Sequence, residues 1–195
     1  MKKGLLIILS GPSGVGKGTV RQEILKDPSV RLYYSVSLTT RKMRPGEMEG
    51  REYYFVTPEE FQKNLEGGNL LEWNKYVGNC YGTPRDKVEA KRMEGYNVLL
   101  EIDVNGAQQV LSKVKDPGVV SIFLVPPSFD ELERRIRGRS TESEDAVQAR
   151  LEKARLELNL ASTYQYTVVN DTVVSAAEQI KKILLERSAS LEEMR

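Results

Sequence analysis

Histidine is absent from this 195-residue sequence, and cysteine occurs once, at Cys80. Without histidine there is no His-based triad, no imidazole proton shuttle and no His–metal site. One thiol forms no internal disulfide and no Cys-rich zinc site; it fits a reducing compartment as a small, partly buried apolar side chain. Long apolar runs are missing too, and no stretch approaches the ~20 residues that a transmembrane helix requires. Lys2 and Lys3 do precede the apolar run Leu5 to Leu9. That run is shorter than a signal-peptide core of about 7–15 residues, and no small-residue cleavage site follows it. A soluble, cytoplasmic protein with no membrane partner is expected. Charge of one sign is lacking as well. The 29 basic and 28 acidic residues leave a formal charge of +1, which argues against a general nucleic-acid or membrane-surface binder.

The composition that remains, 39% hydrophobic and 29% charged, is that of an ordinary soluble domain. A chain of this length buries roughly 70% of its unfolded surface and needs no metal or disulfide to fold. Strand-like and helix-like segments alternate, which predicts an α/β fold with a largely parallel sheet. Leu5 to Leu9, Val98 to Ile102 and Val119 to Val125 read as strands covered on both faces, and Tyr166 to Val169 as a last strand. Helices are expected from Gly16 to Lys26, around Ala107, Val110, Leu111 and Val114, after a capping-box pattern at Ser128 and Glu131, through Val147 to Ala161, and around Ala176 to Leu184. Residues 32–83 break this rhythm. They are rich in Tyr and Thr and carry a Gly/Arg-rich loop and a hairpin-like turn at Gly78-Asn79. Only one short helix fits there, opened by Thr57-Pro58-Glu59-Glu60 and stopped by Gly67-Gly68. This stretch predicts a small, mostly β subdomain inserted into a core made of about 1–31, 84–125 and 151–195. A polar, charged lid is expected within about 126–150.

The sharpest motif is Gly11-Pro12-Ser13-Gly14-Val15-Gly16-Lys17-Gly18-Thr19, set between an apolar strand and a helix, the context a P-loop requires. Its glycines let backbone N–H groups turn inward around an anion, and the helix N-terminus adds partial positive charge. Lys17 reaches the β- and γ-phosphates of a bound nucleotide. Gly18 stands where the pattern has Ser or Thr for a metal, so Thr19 is the next available hydroxyl, directly or through water. Arginines gather in two places, Arg41, Arg44 and Arg51 in the insert and Arg134, Arg135, Arg137 and Arg139 near the lid, with Arg150 beyond. Guanidinium forks match phosphate oxygens bidentately, so two groups beside a P-loop suggest two phosphate-bearing substrates. Glu101 and Asp103 lie at i, i+2 at a strand end. One is available to hold magnesium through water and the other to face an acceptor base, a division the spacing leaves open.

Ser35-Val36-Ser37-Leu38-Thr39-Thr40-Arg41, Arg44-Pro45-Gly46-Glu47 and Gly50-Arg51-Glu52-Tyr53-Tyr54-Phe55-Val56 closely resemble the acceptor region of guanylate kinases. So do Leu71-Glu72-Trp73, Tyr81-Gly82-Thr83 and Leu100-Glu101-Ile102-Asp103-Val104-Asn105-Gly106. With the phosphate loop and Arg135-Ile136-Arg137-Gly138-Arg139, the resemblance spans nearly the whole chain in order. It implies a P-loop nucleoside monophosphate kinase fold and the reaction of MgATP with GMP to give ADP and GDP, with dGMP as a further acceptor. It implies that Ser37, Arg41, Arg44, Tyr53 and Tyr81 hold acceptor-phosphate and acceptor-site positions, and that Glu72, Thr83 and Asp103 serve the guanine. Arg135, Arg139 and Arg150 are implied to close on the transferring phosphoryl group, and Asn170 to lie on the adenine side. Two other readings compete. Against a P-loop kinase for AMP or a sugar phosphate stand Glu72 and Asp103, which suit guanine and have no evident use with a sugar phosphate. A non-catalytic interaction module of the same fold predicts a degraded phosphate loop and missing lid arginines, whereas both are present here. The oligomeric state is not encoded in any motif.

Overall fold

A computed structural model of the chain describes residues 3–138 and 143–193. Five strands, β1 (Leu6–Ser10), β2 (Leu32–Tyr34), β7 (Asn97–Glu101), β8 (Val119–Val125) and β9 (Tyr166–Val169), pair in parallel in the order β2-β7-β1-β8-β9. The apolar run of β1 alternates its side chains between two faces, so both must be covered. Ile7 and Leu9 join a cluster with α1 (Lys17–Leu25), α5 (Phe129–Arg137), α6 (Glu144–Leu158) and α7 (Val173–Glu193). Leu6 and Ile8 face α3 (Arg85–Met93) and α4 (Val104–Lys113) on the other side. The architecture is the α/β sandwich expected of the sequence.

A second, mixed sheet has the order β4-β3-β6-β5, built from β3 (Leu38–Thr39), β4 (Tyr54–Phe55), β5 (Leu70–Tyr76) and β6 (Asn79–Pro84). Its own small core is Leu38, Phe61 and Leu70, with Trp73 set edge-on to Phe61. Phe61 comes from α2 (Pro58–Glu66), which opens with the expected reciprocal cap: Glu60 N donates to Thr57 Oγ1 at 3.1 Å and Thr57 N to Glu60 Oε2 at 2.8 Å. The edge strand β5 packs Leu71 into the main body and is hydrogen-bonded to it by side-chain amides. Gln109 on α4 accepts from Trp73 N at 3.2 Å and donates to Trp73 O at 2.8 Å, as a neighbouring strand would.

Four expectations need correction. Residues 32–34 are the edge of the main sheet and not the start of the insert, because Leu32 and Tyr34 pack on one core face and Tyr33 on the other. The hairpin turn is Val77-Gly78, since Tyr76 pairs with Asn79 and both turn residues have positive φ, 46° and 77°. Ser128 caps α5 by accepting from Glu131 N, but the Glu131 carboxylate turns to Arg134 and Arg135 rather than back to the cap. Leu132 and Ile136 are fully buried, so α5 is a core helix and any lid begins only beyond its C-terminus.

Candidate active site

The C-terminal ends of the parallel strands are where an open α/β sheet presents its crevice. The loop after β1 and the residues after β7 meet there, because these two strands are neighbours. In the loop Gly14 and Gly16 take left-handed φ values of 85° and 101°. A Cβ at Gly16 would lie 2.6 Å from Asn170 Nδ2, so glycine is required there for space as well as conformation. The first turn of α1 has no side-chain cap and no acidic residue. Its free amides and positive dipole end are therefore left for an anion. Lys17 Nζ donates to Gly11 O at 2.6 Å and Pro12 O at 3.1 Å, bridging its own loop. Burial holds its pKa below the ordinary lysine value, while Glu101, Glu157 and Asp103 pull it back upward.

The loop is braced from beneath. Asn170, 2% exposed, donates from Nδ2 to Val15 O at 2.7 Å. Arg135 donates to Val15 O at 3.4 Å, to Asn170 O at 3.1 Å and to Glu131 Oε1 at 2.8 Å. Both residues therefore touch the phosphate loop's backbone. Arg150 Nη2 donates to Ser13 Oγ at 3.1 Å, on the loop's rim. Thr19 is exposed on α1. Arg139 lies outside the described residues.

Beside the loop is a cavity of about 520 Å³ whose lining includes Ser37, Arg41, Arg44, Tyr53, Glu72, Tyr81, Glu101 and Asp103. The fold thus gathers residues that are 66 positions apart in sequence, 37 to 103. One group is cationic and hydroxylic. Arg41 is held by a bidentate pair with Glu47 at 2.7 and 3.0 Å and by Lys42 O at 2.8 Å, with its guanidinium 5.4 Å from the Tyr53 ring. Tyr53 meets Tyr81 edge-on at 5.7 Å. The other group is acidic. Glu72 is 6% exposed and accepts from Thr83 Oγ1 at 2.5 Å. Thr83 is buried behind Glu72 and does not line the cavity itself. Burial pushes the Glu72 carboxyl above the usual range, the Thr83 bond opposes this, and the Asp103 carboxylate adds to it. A Cβ at Gly106 would lie 2.8 Å from Glu72 Oε2 and 3.4 Å from Asp103 Oδ1, so both carboxylates converge on one glycine.

Glu101 and Asp103 go separate ways although they leave the same strand end. Asp103 Oδ1 caps α4 by accepting from Gly106 N at 2.8 Å, and Oδ2 accepts from Asn74 Nδ2 at 3.1 Å. Glu101 turns to the phosphate loop. Its Oε1 is 3.6 Å from where a Cβ at Gly18 would sit, and its Oε2 accepts from Arg21 Nη1 at 2.7 Å.

A model of the guanylate kinase family matches residues 3–187. The chain belongs to the guanylate kinase family. It is 54% identical over 184 residues to the guanylate kinase of Mycoplasma capricolum, covering 94% of this chain and 61% of that protein. The chain thus spans less than two thirds of the length of that relative. With the guanylate kinase of Streptococcus thermophilus the identity is 51% over 183 residues, 94% of this chain and 87% of the other. The crystal structure of guanylate kinase from Anaplasma phagocytophilum is 36% identical, with a TM-score of 0.72, covering 95% of this chain and 86% of that one. No helix among the described residues is long and apolar enough to cross a membrane.

Within this guanylate kinase fold three more side chains stand at the cavity or the loop that sequence motifs do not pick out. Asn74 lies two residues beyond Glu72 on β5, so strand periodicity alone puts it on the same face. Tyr34 and Arg21 carry no such signal: composition groups Tyr34 with the insert, and Arg21 stands one helical turn after Lys17, past the phosphate end of its helix.

Proposed function

We propose that this chain catalyses the ATP-dependent phosphorylation of GMP, and of dGMP as a lesser substrate, to the diphosphate. The observation that carries the reading is the buried Glu72 carboxylate, paired with Asp103, in a cavity that also holds Arg41, Arg44, Tyr53 and Tyr81 and opens beside a P-loop. Guanine offers N1–H and an N2 amine as adjacent donors, and an ionised carboxylate only accepts. Adenine would turn an N1 lone pair on the same carboxylate. The arginines and tyrosines take the acceptor's phosphate, with Ser37. Loop amides and Lys17 take the β- and γ-phosphates of ATP.

In this reading an oxygen of the GMP phosphate attacks the γ-phosphorus in line, its new O–P bond forms as the bond to the ADP oxygen breaks, and no covalent enzyme intermediate is needed. Such a transfer asks for positioning and charge stabilisation, so the absence of histidine removes nothing required. Arg150 reaches the phosphate path from the loop rim, and the resemblance gives Arg139, outside the described residues, a role in the same step. Arg135 and Asn170 act through the loop they brace. Among the described residues no group of three or more His, Cys, Asp or Glu side chains could hold a metal alone. Magnesium keeps waters and takes one or two carboxylates together with substrate phosphates. Glu101, set against Gly18, is the carboxylate that fits, with Thr19 as a hydroxyl on the same helix turn. When bound with ATP the ion neutralises charge on the β- and γ-phosphates. The reading places the protein with its nucleotides in the cytoplasm.

The test is ADP release from ATP with GMP, dGMP, AMP, UMP and CMP as acceptors. GMP is expected to give the highest kcat/KM by orders of magnitude. Equal turnover of AMP, or none with GMP, overturns the reading.

A further inference from the structure

The acceptor cavity contains one side-chain amide, Asn74, which no part of the reaction above employs. Glu72, Asn74 and Tyr76 alternate along β5, so all three point to the cavity, while Trp73 between them packs against Phe61. Asn74 is fixed at both ends of its amide. Its Oδ1 accepts from Lys75 N at 2.7 Å, which leaves Nδ2 as the end that faces Asp103 Oδ2, at 3.1 Å. Asp103 is in turn fixed at its other oxygen by Gly106 N at 2.8 Å. A carboxylate has about four acceptor positions, so this grip from two sides sets the plane of Asp103 and leaves its remaining lone pairs for a ligand. The amide also places the dipole's positive end against one of two neighbouring carboxylates.

We infer that Asn74 is a specificity-setting positioning residue: it orients Asp103 so that the carboxylate accepts from the 2-amino group that distinguishes guanine from hypoxanthine. This rests on the guanylate-kinase reading. An amide-for-alkyl change at this site removes the orienting bond without adding a charge. An aspartate there keeps the shape and replaces a donor with a like charge. The two variants therefore separate shape from electrostatics.

The experiment measures kcat and KM with GMP and with IMP, which lacks the 2-amino group, for the wild type, Asn74→Ala and Asn74→Asp. Melting temperatures of all three check the fold. Asn74→Ala is expected to raise KM for GMP about tenfold with kcat within about twofold, and to narrow the GMP/IMP ratio of kcat/KM by about the same factor. Asn74→Asp, although isosteric, is expected to be the weaker GMP binder of the two variants. A purely structural role predicts the reverse order, and equal losses for GMP and IMP. An unchanged GMP/IMP ratio in both variants, with normal wild-type turnover of GMP, overturns this inference alone. Failure of the wild type to use GMP overturns the functional reading and this inference with it.

Discussion

Replacing Glu72 by glutamine changes one oxygen for an amide nitrogen in a side chain that is 6% exposed. Thr83 already occupies one oxygen at 2.5 Å, and the other lies against Gly106, where a Cβ would sit 2.8 Å from it. Whichever way the amide turns, it has one accepting end, so one of guanine's two donors is left against a donor or against nothing. Losing a charge-assisted bond costs about 1.5–3 kcal/mol and stranding a buried donor about 1–3 kcal/mol. The middle of that range, about 4 kcal/mol, corresponds to about a thousandfold in kcat/KM for GMP. The GMP/AMP ratio should narrow, because the feature that rejects adenine goes with the charge. Stability should move the other way. Burial raises the Glu72 pKa above that of the unfolded chain, so the folded state holds its proton longer. Wild-type stability is then fully present below about pH 4.5, where both states are protonated, and falls as pH rises through the folded titration. Glutamine has no such loss. At pH 8 the variant should melt at or above the wild-type temperature, at about 2–4 °C per kcal/mol for a chain of this size. Kinetics with GMP and AMP, together with thermal melts between pH 4 and pH 8, provide the measurement. Activity and stability falling together, or a GMP/AMP ratio within threefold of wild type, would refute the assignment of this carboxylate as the base reader.

Lys17→Met should lower kcat by about 10²–10³ with an unaltered melting profile, since the ammonium serves phosphate and not the core; a steady-state assay retaining more than a tenth of wild-type kcat contradicts its role. Gly106→Ala lies in a helix, where alanine alone would be worth about 0.8–1 kcal/mol, but its Cβ would meet Glu72 Oε2 at 2.8 Å, so KM for GMP should rise at least tenfold, and an unchanged KM shows that the two carboxylates are not confined as described. Arg92 is 1% exposed and donates to Gly4 O, Glu89 and Asp116 at the N-terminal end of the strands, opposite the cavity; Arg92→Ala should cost about 3–5 kcal/mol in a denaturant titration while leaving KM for GMP alone. Val77, 78% exposed, holds φ at 46° in the β5–β6 turn, so Val77→Asn should raise the melting temperature by the release of about 1 kcal/mol of backbone strain; a fall in melting temperature refutes that account.

What can be read from the sequence depends on the physics of each element. The core strands are legible because continuous apolar runs have few other uses, and α2 because its cap and its glycine stop are chemical signals. The turn at Val77-Gly78 is displaced by one residue in a sequence reading because Asn79 is the better turn former. A valine with positive φ is an unfavourable choice that the pairing of Tyr76 with Asn79 enforces. The phosphate loop is legible from glycine spacing. Its underside is not, since Asn170 reaches Val15 across 155 positions and no local pattern records such a contact. Asp103 and Glu101 share a face by periodicity, yet they part because one lies beyond the strand and caps the next helix while the other remains on the strand's last residue.

Strand β2, which its composition groups with the insert, belongs to the chemistry of the phosphate loop. Its Tyr34 lies beneath the Arg21 guanidinium at 4.0 Å, and Arg21 in turn holds Glu101 at 2.7 Å. Glu101 sits over Gly18, where a longer hydroxyl-bearing residue is the more familiar occupant of a P-loop. A Cβ there would meet Glu101 only at 3.6 Å, ordinary van der Waals contact, so sterics do not force the glycine. The carboxylate itself occupies the neighbourhood the hydroxyl would serve. A carboxylate placed beside Lys17 is held in one direction by a guanidinium that itself rests on an aromatic face. The edge strand β2 therefore sets the position of a charge at the phosphate loop through two side chains. Tyr34 alone carries this role, since Tyr33 packs on the other face of the main sheet beside Tyr96.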